Sequence, residues 1–264
     1  MKKYCILIAT IVLSVVCGCS KFAGDPITKS FDISNNYITL DVDDAFDVYV
    51  SDAVDKVVVT MGEKLMDKMV VEEVNNTLKI YLKPFTILRS AKNTVLVPYN
   101  ARLRELGLSG AASVHTEFPL VADEVNVVLT GASSFFGDIV AEEIEMDLSG
   151  SSSVKGKVAA AEMDLDLSGS SDATLEGIVG PLKIDLAGSS DIEKKVAGGL
   201  YALSCLQCKG SMSGASDAYI HCDGDIRVKL SGASKLHYTG DATTSDSAVS
   251  GGSEIIHDGF DSRR

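Results

Sequence analysis

Three aspartates occupy the same place in three consecutive copies of a short repeated motif. Asp172, Asp191 and Asp217 each lie three residues after a glycine of that motif. If the copies stack, the carboxylates would align along one edge and could bind Ca²⁺ or a polar ligand. The alternative is a solvated turn position where aspartate accepts backbone hydrogen bonds. Other copies carry different polar residues there: Ser134, Ser153, Lys235 and Glu254. That variation favours a tolerant turn position.

Cysteines form the second candidate group. Cys205, Cys208 and Cys222 include a CxxC pair, which can be a redox pair or half of a metal site. With His221 next to Cys222, a Cys₃His zinc site is formally possible. In an oxidising compartment a disulfide among the three is favoured, although Cys208 falls on the inward phase of its strand and could be a small core residue. The sequence does not choose the pair.

A catalytic group is not recognisable in the sequence. It contains no Ser-His-Asp order, phosphate loop or HExxH motif. His115 and His237 both lie five residues after a repeat glycine, but in copies far apart along the chain. A polysaccharide-degrading enzyme would need clustered carboxylates beside a basic group. We therefore predict a protein that is not an enzyme and has no cofactor and no metal.

The repeated motif itself predicts the fold. A Leu-Ser-Gly-like block recurs with its glycine at eight positions: Gly110, Gly131, Gly150, Gly169, Gly188, Gly214, Gly232 and Gly251. Their intervals are 21, 19, 19, 19, 26, 18 and 19 residues, and the longest interval contains Gly198 and Gly199, which suggests an insertion. Small polar residues follow each glycine, as expected for a tight turn with positive φ.

Alternating apolar residues precede each turn and indicate strands. Ile144, Met146 and Leu148 are one such set. A second short strand follows the turn, as at 154–158 and 236–238. A repeat of about 19 residues cannot bury its inward face alone, so the copies must stack. We predict an all-β fold, a right-handed single-stranded parallel β-helix, and prefer it to a leucine-rich repeat because the Asn or Cys ladder of that repeat is missing.

The segment before the repeats lacks the glycine turn but remains rich in strands. Predicted strands lie at 31–33, 38–42, 46–50, 57–61, 69–74, 78–82 and 95–97. Asn75 and Asn76 indicate a hairpin turn, because asparagine tolerates positive φ. We expect this segment to cap the open end of the solenoid, where unpaired strand edges would invite association.

The first residues predict export and lipidation. Lys2 and Lys3 precede an apolar stretch at 4–16 that is too short to span a membrane. The run Val16-Cys17-Gly18-Cys19-Ser20 resembles a lipobox, which makes Cys19 the predicted lipidated N-terminus and the membrane anchor. The alternative is an ordinary signal peptide with two incidental cysteines.

Charge excludes one class of partner. The formal net charge is −13, and cleavage after Gly18 would make it −15. An acidic chain opposes nucleic acid, whose binding needs phosphate-neutralising Lys and Arg.

The ordered blocks resemble a known family of exported β-helical lipoproteins, named "Putative auto-transporter adhesin, head GIN domain". The resemblance rests on Phe31-Asp32-Ile33, Phe46-Asp47-Val48-Tyr49-Val50, Leu78-Lys79-Ile80 and the reiterated Leu-Ser-Gly-Ala/Ser-Ser block from Leu108 onward. It covers nearly all of the chain after the signal peptide. It implies a place in the Gram-negative envelope and an adhesive role, and it brings no catalytic residues.

The leading interpretation is an exported lipoprotein made mostly of β-helix repeats. We predict residues 1–18 as a signal peptide, 19–29 as a lipidated tether, 30–107 as a β-rich region, 108–260 as β-helix repeats and 261–264 as a tail. The protein is expected in the cell envelope, anchored to the outer membrane, as an adhesin or as a module that binds a glycan or a host or envelope protein. Phe135, Phe136 and Tyr219 are the candidate exposed aromatics, with burial of each ring as the equal alternative. An envelope structural or assembly role is the first alternative, and a polysaccharide-degrading enzyme is the second.

Overall fold

The fold is known from a computed structural model that describes residues 23–86, 93–197 and 200–259. The predicted signal peptide, Cys19, Gly198, Gly199 and the tail lie outside these ranges. Within them the chain is all-β, apart from the short helix α1 (Glu63–Met66). The prediction of an all-β fold is therefore confirmed.

Strands before and within the first repeats follow the predicted segments closely. They are β1 (Pro26–Phe31), β2 (Thr39–Val42), β3 (Phe46–Ser51), β4 (Val57–Gly62), β5 (Met69–Val74), β6 (Thr77–Leu82), β7 (Asn93–Pro98), β8 (Glu105–Leu108), β9 (Ser113–Thr116), β10 (Leu120–Leu129), β11 (Ser134–Phe136) and β12 (Ile139–Leu148). The main difference is at β1, which ends at Phe31, so the strand predicted at 31–33 lies mostly outside it.

Later strands complete the repeats. They are β13 (Ser153–Leu167), β14 (Asp172–Leu186), β15 (Asp191–Ile192), β16 (Val196–Ala197), β17 (Leu200–Tyr201), β18 (Leu203–Met212), β19 (Asp217–Cys222), β20 (Ile226–Leu230), β21 (Lys235–Thr239), β22 (Ala248–Val249) and β23 (Glu254–His257).

Successive repeats stack through parallel pairing. Ile144 of β12 pairs with Met163 of β13, and Met163 pairs with Leu182 of β14, so each partner lies one repeat further along the chain. The same offset holds after the turn, where Val154 pairs with Ala173. Residues of like position therefore form columns along the stacking direction. Inward columns supply the core, in which Ile144, Met163 and Leu182 are fully buried.

The repeat glycines form one of these columns, called here the turn column. Gly150 has φ +82° and Gly169 has φ +79°, a left-handed conformation that favours glycine. A Cβ at Gly169 would lie 2.6 Å from the carbonyl oxygen of Gly150. The turn therefore needs glycine both for its backbone conformation and for the close approach of the next repeat.

A column of buried serines fixes the same turn. Each occupies the second position after its glycine, and all are buried: Ser133, Ser152, Ser171, Ser190, Ser216, Ser234 and Ser253. The hydroxyl of Ser152 donates to the carbonyl oxygen of Ser149 at 3.0 Å. The Ser152 hydroxyl is therefore hydrogen-bonded within its own turn. This agrees with the interpretation of the small polar residues after each glycine as turn-forming residues.

The region before the repeats joins the stack and also ends it. β2 and β3 pair in parallel with β8 and β9, so the sheet continues across residue 107. Antiparallel pairings then close this end, between β1 and β4, β4 and β7, and β5 and β6. The β5–β6 hairpin turns at Asn75 and Asn76, which have φ of 52° and 63°, as predicted.

Candidate functional site

Outward side chains after the turn form two adjacent columns, called here the post-turn strip. The first column contains the three predicted aspartates, since Asp172 pairs with Asp191 and Asp191 pairs with Asp217. Its other members are Asp47, Ser113, Ser134, Ser153, Lys235 and Glu254. The alignment expected from the sequence is present.

The three aspartates are called here the acidic ladder, and Asp191 shows their structural role within the chain. Its Oδ1 accepts a hydrogen bond from the backbone N–H of Asp217 at 2.9 Å. Burial, together with repulsion from Asp217 and Asp172, raises the pKa of Asp191, and that hydrogen bond partly opposes the rise. At least one rung is therefore used to order the next repeat, and the ladder remains a candidate for ligand contact through its outward oxygens.

The second column of the post-turn strip carries aromatic rings. Tyr49, His115 and Phe136 are in register, and their rings stack with centroid separations of 4.8 and 4.6 Å and interplanar angles of 11° and 5°. Burial lowers the pKa of His115, and the Asp47 carboxylate partly opposes this. A neutral imidazole in the middle of the stack is therefore favoured near neutral pH.

Stacking decides which part of each ring is available. Since neighbouring rings cover each other's faces, the column presents ring edges, the Tyr49 hydroxyl and the His115 ring nitrogens. Lys155 follows Phe136 in the same column. The strip can therefore offer hydrogen bonds and ring edges to an extended ligand better than it can offer a flat platform for a sugar ring.

A second aromatic group lies further along this strip. The Tyr219 and His237 rings stack at 4.5 Å, and Tyr201 of the inserted segment contacts Tyr219 edge-on at 5.4 Å. His237 Nδ1 lies 2.9 Å from an Asp258 carboxylate oxygen, which also accepts a hydrogen bond from the Tyr201 hydroxyl. These contacts fasten the insertion to the last described repeats.

The structure separates the three aromatic candidates. Phe135 is fully buried, which is the alternative that the sequence left open, whereas Phe136 and Tyr219 are half-buried. Consecutive residues of a strand point to opposite sides, so Phe135 and Phe136 cannot both face outward. Val154 is the next member of the inward column that contains Phe135.

All three candidate cysteines are buried, and the structure distinguishes between them. Cys205 and Cys222 are partners on adjacent parallel strands. Cys208 instead lies between Leu182 and Ile226 in its column. The Cys205 thiol donates a hydrogen bond to the His221 carbonyl oxygen at 3.6 Å. Its interaction with the Cys222 thiol raises the pKa of Cys205 and lowers the pKa of Cys222. The thiols are free in this structure.

Outward side chains before the turn form a charged surface, called here the pre-turn strip. Asp147, Asp166 and Asp185 are in register and line a shallow groove of about 270 Å³. Lys183 Nζ lies 3.2 Å from Asp164 Oδ2 and 3.5 Å from Asp185 Oδ2. This strip was not predicted from the sequence, although the alternation of acids with apolar residues at 145–147 and 164–166 was a usable signal.

This groove has part of what a polysaccharide-degrading enzyme needs. Its carboxylates, Asp147, Asp166 and Asp185, form a single column, and Lys183 contacts Asp185 without lining the groove. Glycoside hydrolysis requires carboxyl groups that flank the scissile bond. Lys183 is also occupied by ion pairs with Asp164 and Asp185.

The strand segments that return to the next repeat carry an apolar column, called here the return strip. Val121, Val140, Ala159 and Ile178 are in register and exposed, with 57% of Val121, 44% of Val140 and 71% of Ile178 accessible. Exposed acids, Asp123 and Glu142, follow two residues after the valines. Contiguous exposed apolar side chains are an interaction feature.

Two further observations concern only the described residues. No group of three or more His, Cys, Asp or Glu side chains is arranged there to hold a metal ion. No helix in the same ranges is long and apolar enough to cross a membrane.

The fold and its surface define an all-β protein of stacked repeats that presents long, open strips of side chains. The chain belongs to the family "Putative auto-transporter adhesin, head GIN domain", whose model matches residues 36–242. The resemblance inferred from the sequence is thus confirmed. No functionally curated relative matches the sequence.

Crystal structures of Parabacteroides proteins share the fold. A putative adhesin from Parabacteroides merdae is 16% identical with a TM-score of 0.79, and the match covers 89% of this chain and 97% of that one. A putative adhesin from Parabacteroides distasonis is 21% identical with a TM-score of 0.73, covering 89% and 95%. A putative lipid binding protein from P. distasonis is 21% identical with a TM-score of 0.75, covering 89% and 98%.

Proposed function

We propose that this chain is a non-enzymatic binding protein of the cell envelope, anchored to the outer membrane through Cys19, that contacts a glycan or a host or envelope protein along the post-turn strip. The observation that carries this proposal is the pair of outward columns on that strip. Aspartates and serines in one column stand beside ring edges in the other, repeated at the strand spacing of about 4.8 Å. Many weak, evenly spaced contacts suit a polymer, because multivalency adds their effects.

We also propose that the stacked repeats form a right-handed single-stranded parallel β-helix. Parallel pairing of each repeat strand with its counterpart one repeat later supports this arrangement. A crystal structure of this chain would test the handedness directly, since a left-handed winding would contradict the proposal.

The binding proposal is tested with a glycan-array and host-matrix screen of residues 20–264, with and without Ca²⁺. Two variants accompany it: Asp191→Asn on the post-turn strip and Asp123→Asn on the return strip as the matched control. We expect saturable binding to one ligand class, weakened at least about fivefold by Asp191→Asn and unchanged by Asp123→Asn. Loss without Ca²⁺ would identify the acidic ladder as a cation-dependent contact.

Other outcomes of the screen would support a different binding surface or a different function. Binding that Asp191→Asn and Asp123→Asn weaken equally would remove the post-turn strip from the proposal. No binding to any ligand would favour an envelope structural or assembly role. Shortened polysaccharide chains after incubation would contradict the non-enzymatic proposal, and Asp166→Asn would then show whether the pre-turn groove is responsible.

The anchor is tested separately. Mass spectrometry of the protein purified from membranes should show a diacylated N-terminal Cys19, and Cys19→Ser should release the chain into the soluble fraction. Retention of the Cys19→Ser variant in membranes would contradict lipid anchoring at this residue.

A lipid ligand is the second candidate, favoured by the return strip. Its valines and Ile178 could cover acyl chains, whereas the neighbouring Asp123 and Glu142 would repel anionic headgroups. Flotation of residues 20–264 with vesicles of neutral phosphatidylcholine tests this. Binding that is lost in a Val140→Ser, Ile178→Ser variant would support it, and absence of flotation by the unaltered chain would exclude it.

A further inference from the structure

The charges of the pre-turn strip reverse along the stacking direction. One outward column runs through Glu145, Asp164, Lys183, Lys209 and Arg227, each in register with the next. It is acidic on β12 and β13 and basic on β14, β18 and β20. In a chain with net charge −13, a column that ends in three consecutive basic residues is a local exception.

The neighbouring column shows a similar reversal. It runs through Asp147, Asp166, Asp185, Ser211 and Lys229. Both positions of β12 on the pre-turn strip are therefore acidic, and both positions of β20 on it are basic. β14, which carries Lys183 and Asp185, lies two repeats from each of them.

Charges at the two ends of the strip are only partly compensated within one chain, where Arg227 forms ion pairs with Asp225 at 2.9 Å and Asp246 at 3.5 Å. Burial and then repulsion from Asp147 and other nearby acids raise the pKa of Glu145. One carboxylate oxygen of Asp166 is buried without a hydrogen-bond partner. Lys209 and Lys229 are exposed and form no ion pair within the part of the chain that the structure describes. Basic groups brought to the acidic end, and acidic groups brought to the basic end, would satisfy both.

We propose that the pre-turn strip binds a second copy of this chain, with the stacking directions of the two copies opposed and a two-fold axis along the Leu182–Leu186 segment of β14. Because β12 and β20 are equally far from β14, this axis sets Asp147 opposite Lys229 of the second copy and Glu145 opposite Arg227 of the second copy. Asp164 is likewise set opposite Lys209 of the second copy. The two-fold operation repeats every contact, which closes the pair.

The groove offers room for these contacts. Asp147, Asp166 and Asp185 line it, so a lysine of the second copy can extend toward carboxylates rather than meet a convex surface. Nucleic acid would be repelled by the acidic end, and an anionic surface could meet only the basic half. A second, reversed copy complements both halves at once. Since five strands span only about 20 Å, the contact is expected to be weak and is best measured at high protein concentration.

Two charge-reversed variants of residues 20–264 test the proposal. The first is Glu145→Lys with Asp147→Lys, and the second is Arg227→Glu with Lys229→Glu. Each should repel its own copies, whereas a mixture of the two should pair, because every reversed contact regains an opposite charge. Sedimentation equilibrium at concentrations up to about 0.5 mM measures the dissociation constant, and circular dichroism checks that both variants fold.

We expect the unaltered chain to form a dimer, each variant alone to bind itself at least tenfold more weakly, and the mixture to recover dimers. The matched control is Asp52→Lys with Asp55→Lys, which makes the same change of charge on an exposed loop and should leave the dimer intact. A monomeric unaltered chain together with a monomeric mixture would overturn the proposal. So would a dimer that persists in both separate variants, since that dimer would use another surface. Neither result bears on ligand binding by the post-turn strip.

Discussion

The N-terminal region and the central repeats belong to the same sheet but differ in how their strands pair. In the repeats, β12, β13 and β14 pair in parallel, and each column holds similar aliphatic side chains. In the N-terminal region, three antiparallel pairings are added, and larger side chains such as Tyr37 and Phe46 fill the core. Stacked repeats have no built-in end, so a region of different design must stop them.

The difference also concerns how turns are made. The repeats turn at glycine and buried serine in every copy, whereas the β5–β6 hairpin turns at Asn75 and Asn76. A defect in a repeat turn is therefore transmitted to the adjacent repeats, while a defect in the N-terminal region should remain more local.

The largest expected loss of stability comes from a substitution in the turn column. Gly169→Val places a branched side chain at φ +79°, with its Cβ 2.6 Å from the Gly150 carbonyl oxygen. We expect the free energy of unfolding to fall by more than about 3 kcal/mol, from backbone strain and the displaced repeat. Urea unfolding measures this. Gly252→Ala is the control, because its Cβ would lie 3.6 Å from the nearest atom and its φ is not in the left-handed region. An equal loss in both variants would contradict the special role of the column.

The next effect concerns the cysteines. In an oxidising envelope we expect Cys205 and Cys222 to form a disulfide, because register partners on adjacent parallel strands meet the separation that a disulfide needs. Closing a loop of this length should add about 3 kcal/mol to the free energy of unfolding. Reductant should then lower the melting temperature of the unaltered chain and of Cys208→Ala equally, but not of Cys205→Ala. Mass spectrometry that finds Cys208 in the bond would contradict this pairing.

A smaller effect is expected in the N-terminal region. The buried Tyr37 hydroxyl donates to the Pro98 carbonyl oxygen at 2.5 Å. Tyr37→Phe removes this buried hydrogen bond and should cost about 1–2 kcal/mol in urea unfolding. Tyr81→Phe, whose hydroxyl contacts the more accessible Glu72, serves as the control and should cost less. The central repeats should keep their hydrogen-exchange protection in both variants; loss of protection there would show that the two regions are not separable.

A buried serine of the repeat turn should contribute more to stability than the exposed serine next to it. Ser152→Ala removes a buried hydroxyl that donates to the Ser149 carbonyl oxygen, at a cost of about 1 kcal/mol. Ser151→Ala, one residue earlier and exposed, should be nearly neutral in the same unfolding experiment. Equal effects would show that the serine column is not what holds the turn.

The smallest effect is a pH dependence in the aromatic column. Since the pKa of His115 is lowered in the folded chain, the unfolded chain binds more protons as pH falls through about 6.5, and stability is lost in that window. His115→Phe keeps the stack and should remove this part of the loss. The slope of unfolding free energy between pH 7 and 5, compared between the two proteins, measures it. Identical slopes would contradict the assignment.

Sequence reasoning predicted most of the strands because their signals are local. The alternation at Ile144, Met146 and Leu148 identified an inward face, and the structure buries all three. It left the exposure of Phe135 and Phe136 open, although two adjacent rings cannot share a side of one strand. It also did not predict the pre-turn strip, because that charged surface forms only when acids and lysines from different repeats lie in register.

The sequence by itself determined the turn at each repeat glycine, the strands on either side and the need to stack, since a 19-residue copy cannot bury its own apolar face. Tertiary structure alone decided which side chains meet across the uneven intervals. Cys205 and Cys222 are 17 residues apart, whereas Cys208 and Ile226 are 18 apart, so the offset changes within one repeat. That change is set by how the chain bends between stacked strands, and only stacking brings the cysteine pair, the acidic ladder and the reversed charges into columns.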